Sequence, residues 1–485
     1  MTIKDLEPSI VWRNFYALTR IPRPSKKERQ AVDYLYEFGR SLGLETIRDE
    51  VGNIIIRKPA TPGMENRRGV ILQGHIDMVP QKNADKEHDF EKDPITALTD
   101  GEWVRADGTT LGADNGLGVA VALSVLESKD LRHGPVEVLV TVDEETGMTG
   151  ANALKPGLLK GDILINLDSE TEGELYVGCA GGLDATASLR YSAVPAPEGY
   201  GTFRIAAKGM KGGHSGMDII LCRANANKVM TRVLLPLMRD HGVKLVSMEG
   251  GNMRNAIPRE AFADVLVPES ATAAVEGIVA GMCRDIKKEY AATDPDLSVT
   301  MEKLPAGAAE HIEDKAALAM LMAVNACPNG VWRMSDAVPG LVETSNNVAI
   351  VSSEGGEFKV KTLMRSSVDS EKEALAEEFR SVFTLAGAVT SFAGGYSGWA
   401  PNKDSVILHT MKKVYESLYG VEPAVMAIHA GLECGILGGT YPNWDMVSCG
   451  PTILSPHSPD ERVNVASVAK WWNFMVKVLE EIPQA

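Results

Sequence analysis

The chain has 485 residues, 44% of them hydrophobic and 24% charged, with a formal net charge of −16 at pH 7. That length holds two or three domains and a large core, and the acidic balance argues against nucleic acid or an anionic membrane as partner. The six cysteines (Cys179, Cys222, Cys283, Cys327, Cys434, Cys449) form no CxxC pair, a usage that suits free thiols in a reducing compartment.

The opening MTIKDLEPSIVWRNF lacks the basic segment and apolar core of a signal peptide, and no apolar run approaches the ~20 residues that span a bilayer. A cytoplasmic protein is expected. Residues 5–43 read as two helices, with Ser25 and Glu28 spaced as a capping box and Gly43 placed to end the second. A hairpin pattern follows at 44–59. Then come GVILQ (69–73), VEVLVTV (136–142) and DILINL (162–167), short runs rich in β-branched residues, with a helical pattern at 115–130 between them. Buried strands alternating with helices predict an α/β domain with a mostly parallel sheet flanked by helices.

From about 185 the texture changes to alternating strands (202–209, 262–268, 297–304, 346–353, 358–364) interleaved with amphipathic helices near 224–238, 272–291 and 371–386. This predicts an α+β insertion on antiparallel sheet. The α/β pattern resumes near 398 with a helix at 406–419, strands at 424–429 and 446–450, and a last helix at 466–482. The expected domains are therefore 1–184 and 398–485 as one interrupted domain, with 185–397 inserted.

Polar residues stand just beyond the predicted strands, where open α/β sheets place their ligands. GHIDMV carries His75 and Asp77, LGADNG carries Asp114, DEETG carries Glu144 and Glu145, NLDSE carries Asp168, and the late PHSPDE carries His457. A single His or Asp in such a place more often caps a loop than binds anything. Five converging on one place have another use. His75, Asp114, Glu145, Asp168 and His457 offer two imidazoles and three carboxylates, enough for two divalent ions with one aspartate shared. Asp77, two residues past His75, is placed to hold the far ring nitrogen, and Glu144 suits a general base. No HExxH helix or cysteine-rich zinc pattern is present.

At these strings the chain resembles the metallopeptidase family that includes bacterial dipeptidases, carnosinases, aminoacylases and zinc carboxypeptidases. CAGG (179–182), KGGHSG (211–216), GGNMRNAIPRE (250–260), VETSNN (342–347) and IHAGLECG (428–435) extend the likeness nearly end to end and favour the family's dipeptidases. The resemblance implies a zinc-peptidase-like catalytic domain holding two Zn²⁺, with Co²⁺ or Mn²⁺ as substitutes, and Asp114 as the bridging ligand. It also implies Glu144 as general base, a cis peptide bond at Asp114–Asn115, and an inserted lid. In that lid His214 would meet the developing oxyanion, and Asn255 and Arg365 the substrate carboxylate. Glu433 would receive the substrate's free amino group, while His429 reads as a packed loop residue. The expected reaction is hydrolysis of small dipeptides with a free N-terminus, Xaa-His included. The family is often dimeric through the lid, so a homodimer is an expected partner.

Three other readings stay open on sequence alone. One is an N-acyl amino acid deacylase on the same fold. Another is a serine hydrolase, suggested by GHSGM (213–217) although Met217 replaces the last glycine of a nucleophile elbow. The third is a non-catalytic peptide-binding protein with structural ions.

Overall fold

The computed structural model describes residues 2–485. It divides into two compact units: Met1–Gly178 with Pro401–Ala427 and Leu432–Ala485, and Cys179–Ala400 with Ile428–Gly431.

The first unit is built on an eight-stranded sheet. Its order is Glu45–Arg48, Ile54–Lys58, Val136–Thr141, Val70–His75, Ile163–Asn166, Asp445–Ser448, Glu174–Cys179, Ala424–Ile428. The four strands from Val136–Thr141 to Asp445–Ser448 run parallel, with Val70 opposite both Val136 and Ile163, and Ile163 opposite Asp445. Their continuous apolar runs reflect burial on both faces. The Glu45–Lys58 hairpin joins one side antiparallel, as its short loop requires, and Tyr176 pairs antiparallel with Ser448 on the other. The sheet is thus mixed, with a parallel centre.

Helix Ala113–Glu127 is buried along almost its whole length because it is apolar all round, with glycine and alanine between leucines and valines. Asn14, from helix Ser9–Thr19, donates to Ser124 Oγ at 3.0 Å and to Glu127 at 2.9 Å across its back. The Asp114–Asn115 peptide bond is cis. Gly43 has φ 71° after helix Arg29–Ser41, as a helix-ending glycine should. The expected Ser25–Glu28 capping box does not form. Ser25 Oγ donates instead to Asp77 at 2.8 Å, and Glu28 Oε1 accepts Lys26 N and Asp143 N, so tertiary partners outbid the local cap. A separate four-stranded sheet pairs Ile453–Leu454 with Arg462–Asn464 and the latter with Trp103–Ala106, which makes 455–461 a hairpin loop.

The second unit is a nine-stranded sheet whose strand pairs are antiparallel, running from Ser298–Lys303 through Tyr200–Lys208, Ala261–Pro268, Lys244–Gly250, Val342–Ser352, Glu357–Ser366 and Gly181–Arg190 to Val389–Tyr396. Gly330–Met334 pairs with Val342–Ser352 off this path. Helices Ala226–His241, Thr272–Glu289, Asp314–Ala326 and Asp369–Leu385 add Val233, Leu237, Val279, Met320, Leu321, Phe379 and Phe383 to its core. No helix among the described residues is long and apolar enough to cross a membrane.

Candidate metal centre

Strand Val70–His75 ends on His75, which is only 1% exposed, and the sheet delivers Asp168 just past the end of the neighbouring Ile163–Asn166. His75 Nε2 lies 3.2 Å from Asp114 Oδ1 and 3.3 Å from Asp168 Oδ1. On the other side of Asp114, its Oδ2 is 3.0 Å from His457 Nε2, which is itself 3.0 Å from Glu145 Oε2. The five residues therefore form two sets, His75 with Asp168 and His457 with Glu145. Asp114 gives one oxygen to each.

The turn at Asp143 has φ 52°, and the Thr146 and Thr149 hydroxyls both donate to the Asp143 carboxylate, which starts the short helix Glu144–Gly147. Asp77, fully buried, accepts Glu144 N at 3.0 Å on one oxygen and Glu145 N at 3.2 Å on the other. His75 Nδ1 stands 3.2 Å from Asp77 Oδ1 but off the line of a good hydrogen bond. Asp77 thus ties the turn that carries Glu144 to the His75 strand, where it was expected to hold the His75 ring.

These groups perturb one another strongly. Burial opposes charge on Asp114, yet hydrogen bonds from His457 and His75 hold it well below the usual carboxylate range. Burial, with Asp114 and Glu433 nearby, pushes Asp168 up to about 7. Burial also raises Glu144 well above its ordinary value, with Asp168, Glu433 and Glu145 adding to the rise. Asp114 and Glu145 raise His457 to about 11. Asp77 is lowered to about 2: burial works against it, but His75 and the Glu144 N–H prevail.

Divalent cations fit this set. The Glu145 Oε1 and Asp168 Oδ1 atoms are buried without a hydrogen-bond partner, a costly state for a carboxylate that a coordinated ion would remove. Ligand atoms of His75, Asp114 and Glu145 lie within 4.8 Å of one another, and imidazole with carboxylate is a donor set for zinc and its neighbours.

Glu433, also in the first unit, is fully buried. Its Oε2 accepts Gln73 Nε2 at 2.6 Å and Thr141 Oγ1 at 2.8 Å, while Oε1 has no partner and burial raises its pKa. The remaining expected residues lie in the second unit. His214, on the short strand Gly213–His214, accepts Gly216 N at 3.2 Å and Met217 N at 3.1 Å at Nδ1. Its neutral ring therefore carries the proton on Nε2. Burial and Arg365 keep its pKa low. Arg365 is 5% exposed, and its Nη1 reaches Tyr396 Oη at 3.4 Å while Nε has no partner. Among the described residues no carboxylate forms an ion pair with it. Asn255 is exposed in a turn, its carbonyl accepting Ser215 N. His429 is packed, 2.7 Å from Ser345 Oγ, and burial lowers it to about 3. Ser215 Oγ is buried without any hydrogen-bond partner, so GHSGM is no nucleophile elbow.

Sequence reasoning missed Asn115, Arg23 and Glu461. Asn115 accepts His75 N at 3.3 Å and donates to Leu167 O at 2.6 Å, so it braces His75 and the residue before Asp168 from its place beside Asp114. Its slot exists because a Cβ on Gly74 or Gly118 would fall 2.2 Å or 2.6 Å from its side chain. The signal was adjacency alone: Asn115 and Glu461 lie in the strings that carry Asp114 and His457.

A mixed α/β sheet with imidazoles and carboxylates gathered near its strand ends, in a chain that also carries an inserted antiparallel domain, is the fold of a metallopeptidase. The chain belongs to Peptidase family M20/M25/M40, whose model matches residues 71–481. It is 45% identical over 487 residues, 99% of each chain, to the cytosol non-specific dipeptidase of Escherichia coli (strain K12). The crystal structure of aminoacylhistidine dipeptidase from Vibrio alginolyticus matches it with a TM-score of 0.96 at 47% identity, over 100% of this chain and 99% of that one. The aminopeptidase PepT from Bacillus cereus ATCC 10987 shares the fold alone, with a TM-score of 0.58 and 16% identity over 98% and 99% of the two chains.

Proposed function

We propose that this chain hydrolyses dipeptides with a free N-terminus, Xaa-His included, using two divalent ions, zinc first and cobalt or manganese as substitutes. One observation carries the reading: Asp114 turns one oxygen to each of two imidazoles, and each imidazole has a carboxylate of its own. His75, Asp168 and Asp114 would hold one ion, and His457, Glu145 and Asp114 the other. Such ions supply a water of lowered pKa and polarise the scissile carbonyl.

The chain's own groups do the rest. Glu144 takes the proton of the attacking water as its oxygen bonds to the carbonyl carbon. It then gives that proton to the leaving nitrogen as the C–N bond breaks. Asp77 sets the backbone from which Glu144 projects. The free Oε1 of Glu433 suits the substrate's α-ammonium, which favours a dipeptide over an N-acylated amino acid. From the second unit, His214 Nε2–H is the donor for the developing oxyanion, and Arg365 with Asn255 takes the C-terminal carboxylate. A buried guanidinium without a carboxylate partner supports that role. The similarity to a cytosol dipeptidase along 99% of each chain supports a cytosolic location, and a homodimer is the assembly we propose.

Metal analysis of the purified protein, with a dipeptide panel run before and after chelation, tests the reading. About two ions per chain and a chelator-sensitive turnover of dipeptides are expected. Turnover of N-acetylated amino acids alone, or full occupancy with no turnover, would overturn it.

A further inference from the structure

One buried carboxylate beside the ligand cluster has no part in the proposed reaction. Glu461 is 1% exposed, and no Lys, Arg or His side chain among the described residues forms an ion pair with it. Its oxygens instead accept four consecutive backbone N–H groups. Oε2 takes Leu111 at 2.7 Å and Gly112 at 3.0 Å; Oε1 takes Ala113 at 2.7 Å and Asp114 at 3.3 Å. Successive N–H groups turned to one side make an anion-binding nest, and here the chain fills it with its own side chain. Gly112 makes the turn possible at φ 68°, where a Cβ would stand 2.6 Å from Arg23 Nη2. Arg23, itself buried, closes the far side by donating to Gly112 O at 2.6 Å and Ile76 O at 2.9 Å.

The placement matters more than the count of bonds. The nest ends on Asp114, the residue facing both imidazoles. Glu461 lies four residues past His457 on the same hairpin loop, 347 residues from Asp114 in sequence. The two imidazoles are secured differently. His75 sits at the end of a central strand and is 1% exposed, whereas the His457 side chain is 51% exposed on a loop with φ 57°. Burial holds the first in place. The second, beyond its contacts with Asp114 and Glu145, depends on its loop.

We propose that Glu461 is a positioning residue that pins the His457 loop to the Asp114 turn and so sets affinity for the ion held by His457 and Glu145. The proposal rests on the two-ion reading above. A carboxylate is required because all four donors point at acceptors. A glutamine would turn an NH₂ group toward two of them, and an alanine would leave four N–H groups without a partner.

Calorimetric zinc titration of the chelator-stripped full chain tests this, with wild type, Glu461→Ala and Glu461→Gln compared. Wild type taking up fewer than two ions would sink the two-ion reading itself, separately from this proposal. With two ions in wild type, Glu461→Ala is expected to bind the first nearly as wild type does and the second about 10–100-fold more weakly. Sodium formate, a carboxylate small enough for the emptied nest, should restore the second event, and formamide at the same concentration should not. Glu461→Gln should show a smaller, equally selective loss, and it decides the matter if the alanine variant does not fold. Unchanged isotherms overturn the proposal. So does an equal loss of both ions that formate fails to reverse, the result a merely structural role would give.

Discussion

Residues at this site divide by what they touch. Glu144 borders the cluster without joining either ligand set, and its amide is fixed by Asp77. Glu144→Ala is therefore expected to keep both ions while kcat falls by about 10²–10⁴-fold, the usual worth of a positioned base. Metal content and kcat measured on one preparation check this, and near-normal turnover would remove Glu144 from the role. Arg365 makes a separate claim. Its buried guanidinium reaches the Tyr396 hydroxyl at 3.4 Å and, among the described residues, pairs with no carboxylate. Arg365→Met should raise KM for dipeptides about 10–100-fold, the worth of a charge-assisted hydrogen bond, while leaving dipeptide amides unaffected. An equal change for both substrates would show that the arginine does not meet the carboxylate.

Elements explain why those residues meet. The parallel strands Val70–His75 and Ile163–Asn166 finish side by side, so His75 and Asp168 arrive together without any local signal between them. Helix Ala113–Glu127 must start close under them, and Gly118 permits it: a Cβ there would stand 2.5 Å from Leu167 O. Gly118→Ala should cost about 1–3 kcal/mol by overpacking, read by urea denaturation, and should weaken metal uptake as Asn115 is displaced. A variant as stable as wild type would show that the helix has room to shift. The same reasoning marks the limits of periodicity. The central strands and most helices of both units were legible from apolar runs and amphipathic spacing. Helix Asp314–Ala326 was not anticipated, and the Ser25–Glu28 cap was expected but is replaced by tertiary hydrogen bonds. Local rules yield wherever a distant partner offers a better bond.

For the whole molecule, the crowding of carboxylates around two imidazoles couples metal binding to pH. His457, raised to about 11 by Asp114 and Glu145, keeps its proton through the neutral range in chelated protein. That proton stabilises the metal-free fold fully below pH about 6.5, the ordinary histidine value, and the contribution is lost as pH rises through the folded value. Protons and cations compete for the same nitrogen, so metal affinity should climb with pH across that window. Calorimetry in buffers of different ionisation enthalpy should show at least one proton released on filling the site. Binding without proton release would mean that His457 carries no proton in the metal-free protein or takes no part in holding the ion.

The amino-acid order by itself determined the alternation of buried strands with helices, the antiparallel texture of the insertion, and the polar groups that wait at strand ends. Those follow from side-chain periodicity and from short strings, which are local properties of a chain. Only the tertiary structure decided that Asp114 faces two imidazoles, that Asp77 holds the turn of Glu144, and that Arg365 is buried without an acid. It alone returned Ile428–Gly431 to the second unit and brought Glu461 beneath Asp114. The physical reason is separation. Such contacts join segments tens to hundreds of residues apart, and a carboxylate written in sequence looks the same whether it ends in water, on a metal or in a nest of backbone amides.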